Sequence, residues 1–288
     1  MSKALQIYYS ALFGALGGLA GGWGVGSVAT QTWGVWVAAL VVGAGPGAAL
    51  GALVASADGA VVKRKAARAI RDGILGGVAG LVAGALGMLL AQVAFLALSG
   101  GWEGRALSWM LLGGLIGAGD LLVSRRPQRA LYATVGGLAG GLAGGLLYEG
   151  LTRLFLATSG PAQVWIGGLG LVIVGACIGA LIPLARQVFA RGELRVLRGE
   201  QAGLVREVTD TASIGRYDGN DLYLPDVGVA WRHAVVRRAG DGFELEVLPE
   251  GDGAARVAGR SLGPGEARPL RSGDRITLGG AELEFVGR

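Results

Sequence analysis

Cysteine and histidine are almost absent from this 288-residue chain, which contains one of each. The single cysteine, Cys177, excludes a disulfide within the chain and a metal cluster built on several thiolates. It lies in an apolar run, where a free cysteine behaves as a small buried hydrophobic residue. The single histidine, His233, excludes metal sites that need several imidazole ligands. The sequence therefore predicts no bound metal.

Catalytic signatures are missing as well. His233 has no matching nucleophile motif, so a nucleophile–base pair is not available. The glycine-rich run at 43–51 lacks the Gly-Lys-Ser/Thr sequence with which a phosphate-binding loop places a cation on its ligand. We therefore predict that the chain is not an enzyme and uses no cofactor.

Charged residues make up only 16% of the chain and are divided unevenly. Residues 1–190 contain 12 basic and 5 acidic residues, whereas residues 191–288 contain 14 basic and 16 acidic ones. A nucleic-acid-binding protein carries its basic excess on a soluble surface. Here the excess flanks apolar segments, so we expect a lipid bilayer and no nucleic acid as a partner.

Apolar segments dominate the first two thirds of the chain. Each is about as long as the roughly 17–25 residues that a helix needs to cross a bilayer. The first is not interpreted as a signal peptide, because it belongs to an internal repeat and no small-residue cleavage site follows it. The six predicted spans are 5–28, 33–55, 74–98, 107–123, 131–155 and 164–185.

The spans repeat in pairs. The sequence Leu-Gly-Gly-Leu-Ala-Gly at 16–21 recurs in similar form at 75–80 and at 135–140. The second span of each pair also carries a common element, at 50–52, 116–118 and 178–180. Residues 1–190 are therefore predicted to form an all-α membrane bundle of three tandem helical hairpins with the same orientation.

Glycine, with 56 copies, recurs at four-residue spacing inside these spans. In lipid, small residues at this spacing let two helix backbones approach and gain van der Waals contact. Two interpretations are open: packing within one six-helix bundle, or homo-oligomerisation through an exposed glycine face. The glycines concerned are Gly14, Gly18, Gly22, Gly26, Gly76, Gly80, Gly84, Gly136, Gly140 and Gly144.

Basic residues predict the orientation of the spans. They occur before the first span and after the second, fourth and sixth, whereas the alternate connections are nearly neutral. Because Lys and Arg accumulate in cytoplasmic loops, this pattern predicts a multi-pass protein of the cytoplasmic (inner) membrane with both termini in the cytoplasm. The residues are Lys3; Lys63, Arg64, Lys65, Arg68 and Arg71; Arg125, Arg126 and Arg129; and Arg186 and Arg191.

Three acidic residues lie near the ends of spans. Asp58 and Asp120 each precede a basic loop by five residues, and Glu149 precedes Arg153 by four on one helix. An ionisable residue inside a membrane is a candidate functional site. The closeness of the basic loops favours the alternative, an ion pair at the membrane interface, and Glu149 and Arg153 are spaced to pair along one helix face.

From residue 191 the pattern changes to short alternating runs separated by glycine-containing turns. Alternation is clear at 194–196, 243–247, 276–278 and 283–285. Such runs at close turn spacing predict an all-β sandwich, and residues 191–288 are enough for one small domain.

The stretch 213–235 carries a set of ordered motifs. It contains Gly215-Arg216 after an apolar strand, a polar turn at 218–220, and Arg232-His233-Ala234 before another β-rich run. A Gly-Asp-Arg-Ile-Thr-Leu-Gly sequence follows at 273–279. This layout resembles the forkhead-associated (FHA) domain over about 193–288. The resemblance implies an antiparallel β-sandwich that binds phosphothreonine peptides through the loops at one end.

The resemblance implies roles for particular residues, and some of them are altered here. Arg216 matches the arginine that contacts the phosphate, and a planar guanidinium fork suits that contact. Gly215 and His233 match structural positions, His233 being the residue that braces the binding loops. The serine three residues before that histidine is Ala230 here, so a hydroxyl donor is missing.

The remaining positions implied by the resemblance lie further along the chain. Asp252 and Gly253 stand where the family has Asn-Gly, and a carboxylate there repels a phosphate. Ala258 replaces a second asparagine, and Arg232 is a candidate replacement cation. Two interpretations remain open: phosphothreonine binding is retained, or the domain docks a partner independently of phosphate.

Taken together, the two parts predict a membrane-anchored scaffold in signalling, whose cytoplasmic FHA-like domain docks a protein partner. The combination resembles bacterial proteins in which glycine-rich spans precede an FHA domain. The alternative is a small transporter or channel regulated by that domain, for which Asp58 and Asp120 would be the ionisable residues.

Overall fold

The computed structural model of the chain describes residues 3–26, 33–57, 59–60, 66–97, 102–155, 161–249 and 255–287. The chain divides into two compact units, one of residues Ala4–Arg186 and one that contains Gln187–Arg288. The first unit is helical and the second is built from β-strands. The predicted succession of a helical bundle and a β-sandwich is therefore confirmed. Asp58 lies outside the described residues, so its role stays a prediction.

The described part of the helical unit contains six long helices and one short one. Five candidate membrane spans, with α4 and α5 counted as one, are long and apolar enough to cross a membrane. Among the described residues, the first helix, which is of similar length, is not one of these five. The helices are α1 (Lys3–Gly26), α2 (Val35–Ala57), α3 (Ala66–Ala97), α4 (Trp102–Ala118), α5 (Asp120–Ser124), α6 (Pro127–Leu154) and α7 (Pro161–Phe189).

Glycines bring the helices of neighbouring repeats into backbone contact. A Cβ added to Gly47 of α2 would overlap the carbonyl oxygen of Gly80 on α3. The same holds for Gly113 of α4 against Gly137 on α6. In lipid this close approach replaces the hydrophobic drive that is absent between helices. The tightest contacts therefore join the second helix of one repeat to the first helix of the next.

The last helix closes the series by packing on the first. A Cβ on Gly175 of α7 would overlap the carbonyl oxygen of Gly14 on α1, and one on Gly18 of α1 would overlap that of Leu171 on α7. Within the predicted hairpins, α1 meets α2, α3 meets α4 and α6 meets α7, at Gly17–Leu50, Gly87–Leu112 and Gly140–Ile178. Each long helix thus contacts the next, and the six form a closed ring.

The glycines at four-residue spacing take part in these contacts. For most of them, an added Cβ would come closer than 3.0 Å to another helix of the same unit; these are Gly14, Gly18, Gly76, Gly80, Gly84, Gly136, Gly140 and Gly144. Of the two interpretations of this spacing, packing within one bundle therefore accounts for these glycines.

One residue from each repeat lies in a shared core. Leu50, Ile116 and Ile178, which occupy equivalent positions of the repeat, belong to one buried apolar cluster and are at most 7% exposed. Burying a side chain of this size contributes about 1.5–3 kcal/mol in a water-soluble protein; in lipid the gain is close packing. The contacts in this cluster are apolar, which favours a packed bundle over a conducting pathway.

The β-unit is a sandwich of two sheets. The first has the strand order β2-β1-β11-β10-β7-β8 and the second the order β4-β3-β5-β6-β9. All recorded pairs are antiparallel except β3 with β4. The strands are β1 (Gly192–Arg198), β2 (Val205–Val208), β3 (Thr211–Gly215), β4 (Leu222–Tyr223), β5 (Ala234–Ala239), β6 (Gly242–Val247), β7 (Ala255–Val257), β8 (Arg260–Leu262), β9 (Ala267–Leu270), β10 (Arg275–Leu278) and β11 (Ala281–Gly287).

Alternating residues of the strands form the core between the two sheets. Ile276 and Leu278 of β10 are fully buried, while the intervening Thr277 is half-buried. Phe243 of the second sheet meets Phe285 of the first, with ring centroids 5.4 Å apart. Because side chains alternate between the faces of a strand, the period-two pattern of the sequence places these residues inside.

Candidate functional site

Several loops of the sandwich meet at one of its ends. The backbone N–H of Glu200 donates to Asp226 Oδ1 over 2.9 Å, which joins the β1–β2 loop to the β4–β5 loop. The N–H of Gly280 donates to the carbonyl of Val227 over 3.0 Å, which joins the β10–β11 turn to the same loop. We call this end the loop end; it consists of residues 199–204, 216–221, 224–233 and 279–280.

Arg216 is held at the loop end by its backbone. Strand β3 finishes at Gly215, and the N–H of Arg216 donates to the carbonyl of Ala230 over 2.9 Å. A Cβ on Gly215 would lie 2.5 Å from the carbonyl oxygen of Trp231 and 2.7 Å from Asn220 Nδ2. Glycine is therefore required here for the β3–β4 and β4–β5 loops to approach. The Arg216 side chain is exposed, and its guanidinium makes no hydrogen bond or ion pair with the described residues.

His233 braces the β4–β5 loop from inside the sandwich. It is fully buried, and its Nδ1 accepts a hydrogen bond from the N–H of Ala230 over 3.0 Å. Its own N–H donates to the carbonyl of Ile214, and its carbonyl accepts from the N–H of Leu248, each over 2.9 Å. The ring and the backbone of one residue therefore fix Ala230 beside the end of β3.

The β3–β4 turn is fixed by two polar side chains. Asn220, 2% exposed, donates from Nδ2 to the carbonyl of Trp231 over 2.9 Å. Asp221 Oδ2 accepts from the backbone N–H and the hydroxyl of Ser213, over 2.8 and 2.7 Å. Sequence analysis placed Asn220 in a turn; its bond to the neighbouring loop follows only from the structure.

The structure brings some of the predicted site residues together and separates one. Arg216, Ala230 and Arg232 lie on two hydrogen-bonded loops of the loop end, and Arg232 is exposed. Ala258 follows β7, and its N–H donates to the carbonyl of Arg275, at the start of β10. Since the loop end joins the opposite end of β10, Ala258 lies away from Arg216. Asp252 and Gly253 lie outside the described residues.

Two residues of the loop end were not singled out by the sequence analysis. The rings of Tyr217 and Trp231 stack with their centroids 4.8 Å apart. The sequence offers a signal only in retrospect, in the pairing of an arginine with a ring at Arg216-Tyr217 and again at Trp231-Arg232. Nothing in that pattern specifies that two residues 14 positions apart stack on each other.

Ala258 occupies an unfavourable backbone conformation. Its φ is +48°, and the following Gly259 has φ +79°, so the β7–β8 turn has positive φ at both central residues. A residue with a Cβ loses about 1–2 kcal/mol in the left-handed region, which asparagine tolerates better. Turns of this kind favour Asn-Gly.

We expect the substitution Ala258→Asn to raise the unfolding free energy of the β-unit by about 1 kcal/mol. Urea unfolding of the chain in detergent, followed by circular dichroism, measures this. Ala239→Asn, at an exposed position of β5, is the control and is expected to be neutral or destabilising, because asparagine is disfavoured in strands. Equal effects of the two substitutions would contradict the strain at residue 258.

Metal binding finds no support among the residues that the structure describes: these contain no group of three or more His, Cys, Asp or Glu side chains placed to hold an ion. The exposed groups at the loop end include two cations and two aromatic rings, together with the acidic Glu200. Arg216 and Arg232 fit an anionic group, and the stacked rings fit an apolar one.

Comparison with known proteins agrees with this geometry. Residues 212–279 match the FHA domain family. Over 97 residues the chain is 36% identical to the oxoglutarate dehydrogenase inhibitor of Corynebacterium diphtheriae, an alignment that covers 33% of this chain and 64% of that protein. It is 37% identical over 95 residues to the inhibitor of the same name from Corynebacterium jeikeium, covering 32% and 62%. The chain thus spans less than two thirds of the length of either relative.

Among solved structures, one determined in a study of phosphothreonine-dependent FHA domain interactions is 26% identical to this chain. The superposition has a TM-score of 0.30 and covers 34% of this chain and 96% of that one. From the family match and the two-sheet sandwich, the C-terminal domain is an FHA domain.

Proposed function

We propose that this chain is a membrane-anchored adaptor in signalling, in which apolar helices hold an FHA domain that docks a protein partner through its loop end. The five long apolar helices and the FHA family match support the two halves of this proposal. The distribution of basic residues supports a position in the cytoplasmic membrane with both termini in the cytoplasm. Regulatory relatives that carry the name of an enzyme inhibitor favour a binding protein over an enzyme.

The observation that carries the proposal is the position of Arg216. Its backbone is fixed by the hydrogen bond to Ala230, while its guanidinium is exposed and free of ion pairs with described residues. A pre-positioned guanidinium binds a phosphate or carboxylate with strong, charge-assisted hydrogen bonds. An acidic segment of a protein partner is therefore the ligand class that this end fits.

Phosphothreonine is the acidic group that the FHA fold favours, and we propose that it is bound weakly here. Ala230 provides no hydroxyl beside Arg216, so one hydrogen bond to the phosphate is missing. Hydrogen bonds to charged groups contribute about 1.5–3 kcal/mol each. The domain therefore still recognises phosphate, but with one hydrogen bond fewer than a serine at position 230 would allow.

The substitution Ala230→Ser tests this directly. Because the backbone of residue 230 is bonded on both sides, to the Arg216 N–H and to the His233 ring, a serine there keeps its place and adds a hydroxyl to the loop that is bonded to Arg216. We expect the ratio of affinities for a phosphothreonine peptide and its unphosphorylated copy to rise about tenfold, the equivalent of one such bond. Ala239→Ser, on β5, is the control.

The measurement uses the full chain in lipid nanodiscs and a library of peptides with a central phosphothreonine, each paired with its unphosphorylated copy. Retention of phosphorylated peptides by the parent chain, strengthened in Ala230→Ser, supports the proposal. Equal retention of both peptide forms by both proteins would leave a phosphate-independent docking site. No retention by either protein would refute peptide docking at the loop end.

A further inference from the structure

Two large aromatic rings lie exposed at the loop end. Tyr217 is 37% exposed and Trp231 is 58% exposed, and their planes are inclined by only 24°. Single exposed hydrophobic residues are common on protein surfaces, but contiguous apolar patches mark interaction sites. We call this stacked pair the aromatic ledge.

Hydrogen bonds between the β3–β4 and β4–β5 loops fix the backbone of the aromatic ledge. The N–H of Tyr217 donates to the carbonyl of Trp231 over 2.9 Å, and the N–H of Asn220 donates to the carbonyl of Tyr217 over 3.0 Å. The buried Asn220 side chain donates to the same Trp231 carbonyl. These bonds use backbone atoms of the two aromatic residues, so their rings are free to contact a ligand.

Gly219 provides the space that the Tyr217 ring occupies. A Cβ at position 219 would lie 2.7 Å from both Cδ1 and Cζ of that ring. The ring is therefore confined between the Gly219 backbone and the Trp231 ring. A surface whose side chains are already ordered loses little conformational entropy on binding, so the aromatic ledge is suited to hold a ligand.

Cations flank the aromatic ledge along both loops. Arg216 precedes Tyr217 and Arg232 follows Trp231, and both arginine side chains are exposed. Neither guanidinium forms an ion pair with the part of the chain that the structure describes. Tryptophan, tyrosine and arginine are the residue types that most often dominate the binding energy of protein interfaces. A ligand that matches this surface has a negative group beside a large apolar one.

We propose that the aromatic ledge binds a large apolar side chain of the same partner segment whose acidic residue contacts Arg216. Tyr217 and Trp231 then determine which sequences around that residue are accepted. This inference rests on the proposed function and specifies the partner: a protein segment in which a phosphothreonine or other acidic residue lies within a few positions of Phe, Trp, Leu, Ile or Met.

The aromatic ledge and the start of β1 can be compared within the sandwich. The chain enters the sandwich at Gly192, and β1 runs from there to the β1–β2 loop, which is bonded to Asp226 at the loop end. Seven residues of strand cover about 20 Å. The ledge therefore lies at the end of the domain remote from the entry of the chain.

The experiment compares the sequences selected from the phosphothreonine library by the full chain and by three variants. Trp231→Ala removes half of the ledge, Trp231→Phe keeps an aromatic ring, and Gly219→Ala displaces the Tyr217 ring without removing an apolar atom. We expect the parent chain and Trp231→Phe to enrich large apolar residues at one flanking position. For a selected peptide, Trp231→Ala is expected to lower the affinity about tenfold, and Gly219→Ala to lower it less.

A matched peptide separates this inference from the proposed function. With alanine in place of the apolar residue, the parent chain and Trp231→Ala should bind equally, because the phosphate contact remains. The parent chain could retain phosphopeptides without a flanking preference, or with a preference that is unchanged in Trp231→Ala. Either result would overturn the proposed role of the ledge and leave the adaptor function standing. No retained phosphopeptide in any protein would overturn both.

Thiol labelling tests the alternative that lipid covers the ledge. In a Cys177→Ser background, the substitution Trp231→Cys places one thiol at the ledge of the full chain in liposomes. We expect a water-soluble maleimide to label it readily, and a selected peptide that contacts the loop end to slow labelling several-fold. Protection without peptide would show that lipid or the chain itself covers the ledge and would overturn the proposal.

Discussion

Replacing Asp120 with asparagine is expected to lower the unfolding free energy of the helical unit by about 3 kcal/mol. Asp120 Oδ1 lies 2.8 Å from Arg186 Nη2 on α7, and its Oδ2 lies 3.3 Å from Arg129 Nε on α6. All three side chains are largely buried. Because the isosteric Asp120→Asn leaves two buried guanidiniums without their shared counter-charge, the loss is far larger than that of a surface ion pair.

Unfolding of the helical unit by dodecyl sulfate measures this loss. Glu103→Gln, at an exposed acidic residue in the first turn of α4, is the control and should change stability by less than about 0.5 kcal/mol. Adding Arg186→Met to Asp120→Asn should recover part of the loss, because it removes one uncompensated charge. A change as small as that of the control would mean that Asp120 is not needed to join α5, α6 and α7.

Glu149 forms a second carboxylate cluster of the same kind. Its Oε1 accepts from Arg105 of α4 over 2.9 Å and from Arg153 of α6 over 3.0 Å. The pairing of Glu149 with Arg153 along one helix face agrees with the sequence-based interpretation, and Arg105 adds a link between two helices. Buried carboxylates that each bind two arginines act as cross-links within the bundle. Asp120, on which the transporter alternative partly rests, forms ion pairs with Arg129 and Arg186 on neighbouring helices. This structural role weakens the argument for a transporter.

Arg216→Ala is expected to lower the affinity of the full chain for phosphothreonine peptides by about 10–100-fold. This corresponds to the 1.5–3 kcal/mol of a hydrogen bond to a charged group. The fold should be unaffected, because the bond to Ala230 uses the backbone N–H of Arg216 and not its side chain. Titration of a labelled library peptide into nanodisc-embedded protein, followed by fluorescence anisotropy, measures the change.

Two further variants define what the arginine contributes. Arg216→Lys keeps the charge and loses the bidentate fork, so an intermediate affinity is expected. Arg260→Ala removes an exposed arginine from β8, next to the β7–β8 turn, and serves as the charge-matched control. If Arg216→Ala and Arg260→Ala bind the phosphopeptide equally well, the loop end is not the phosphate site.

Much of the architecture follows from patterns that are local in the sequence. The alternation at 243–247 and 276–278 predicts strands, and the structure has strands there, because a two-residue period can bury one face only in a sheet. The uninterrupted apolar runs likewise predict long helices. The structural roles expected for Gly215 and His233 come from the resemblance of the 213–235 motifs to the FHA domain.

Features that depend on contacts between distant residues could not be predicted in this way. The repeats indicate three equivalent hairpins, but they do not show that the closest glycine contacts join one repeat to the next. The stacking of Tyr217 on Trp231 depends on contact between the β3–β4 and β4–β5 loops. The hydrogen bond from Asn220 to the Trp231 carbonyl depends on the same contact. Ala258 shows the limit of motif matching. The resemblance implied a binding residue at this position, but the strand register places Ala258 at the end of β10 opposite to the loop end.

The closure of α7 onto α1 has a consequence for how the bundle is assembled. In a ring of equivalent repeats, the point at which the polypeptide begins is arbitrary, so a circular permutant that starts at α3 would preserve every helix neighbour. During synthesis, however, the glycine surface of α1 has no partner until α7 has been made, more than 130 residues later in the chain. A nascent chain that stops before α7 therefore leaves two unsatisfied glycine surfaces, on α1 and on α6. Such a truncated chain would be a substrate for the quality-control proteases that remove incompletely assembled membrane proteins.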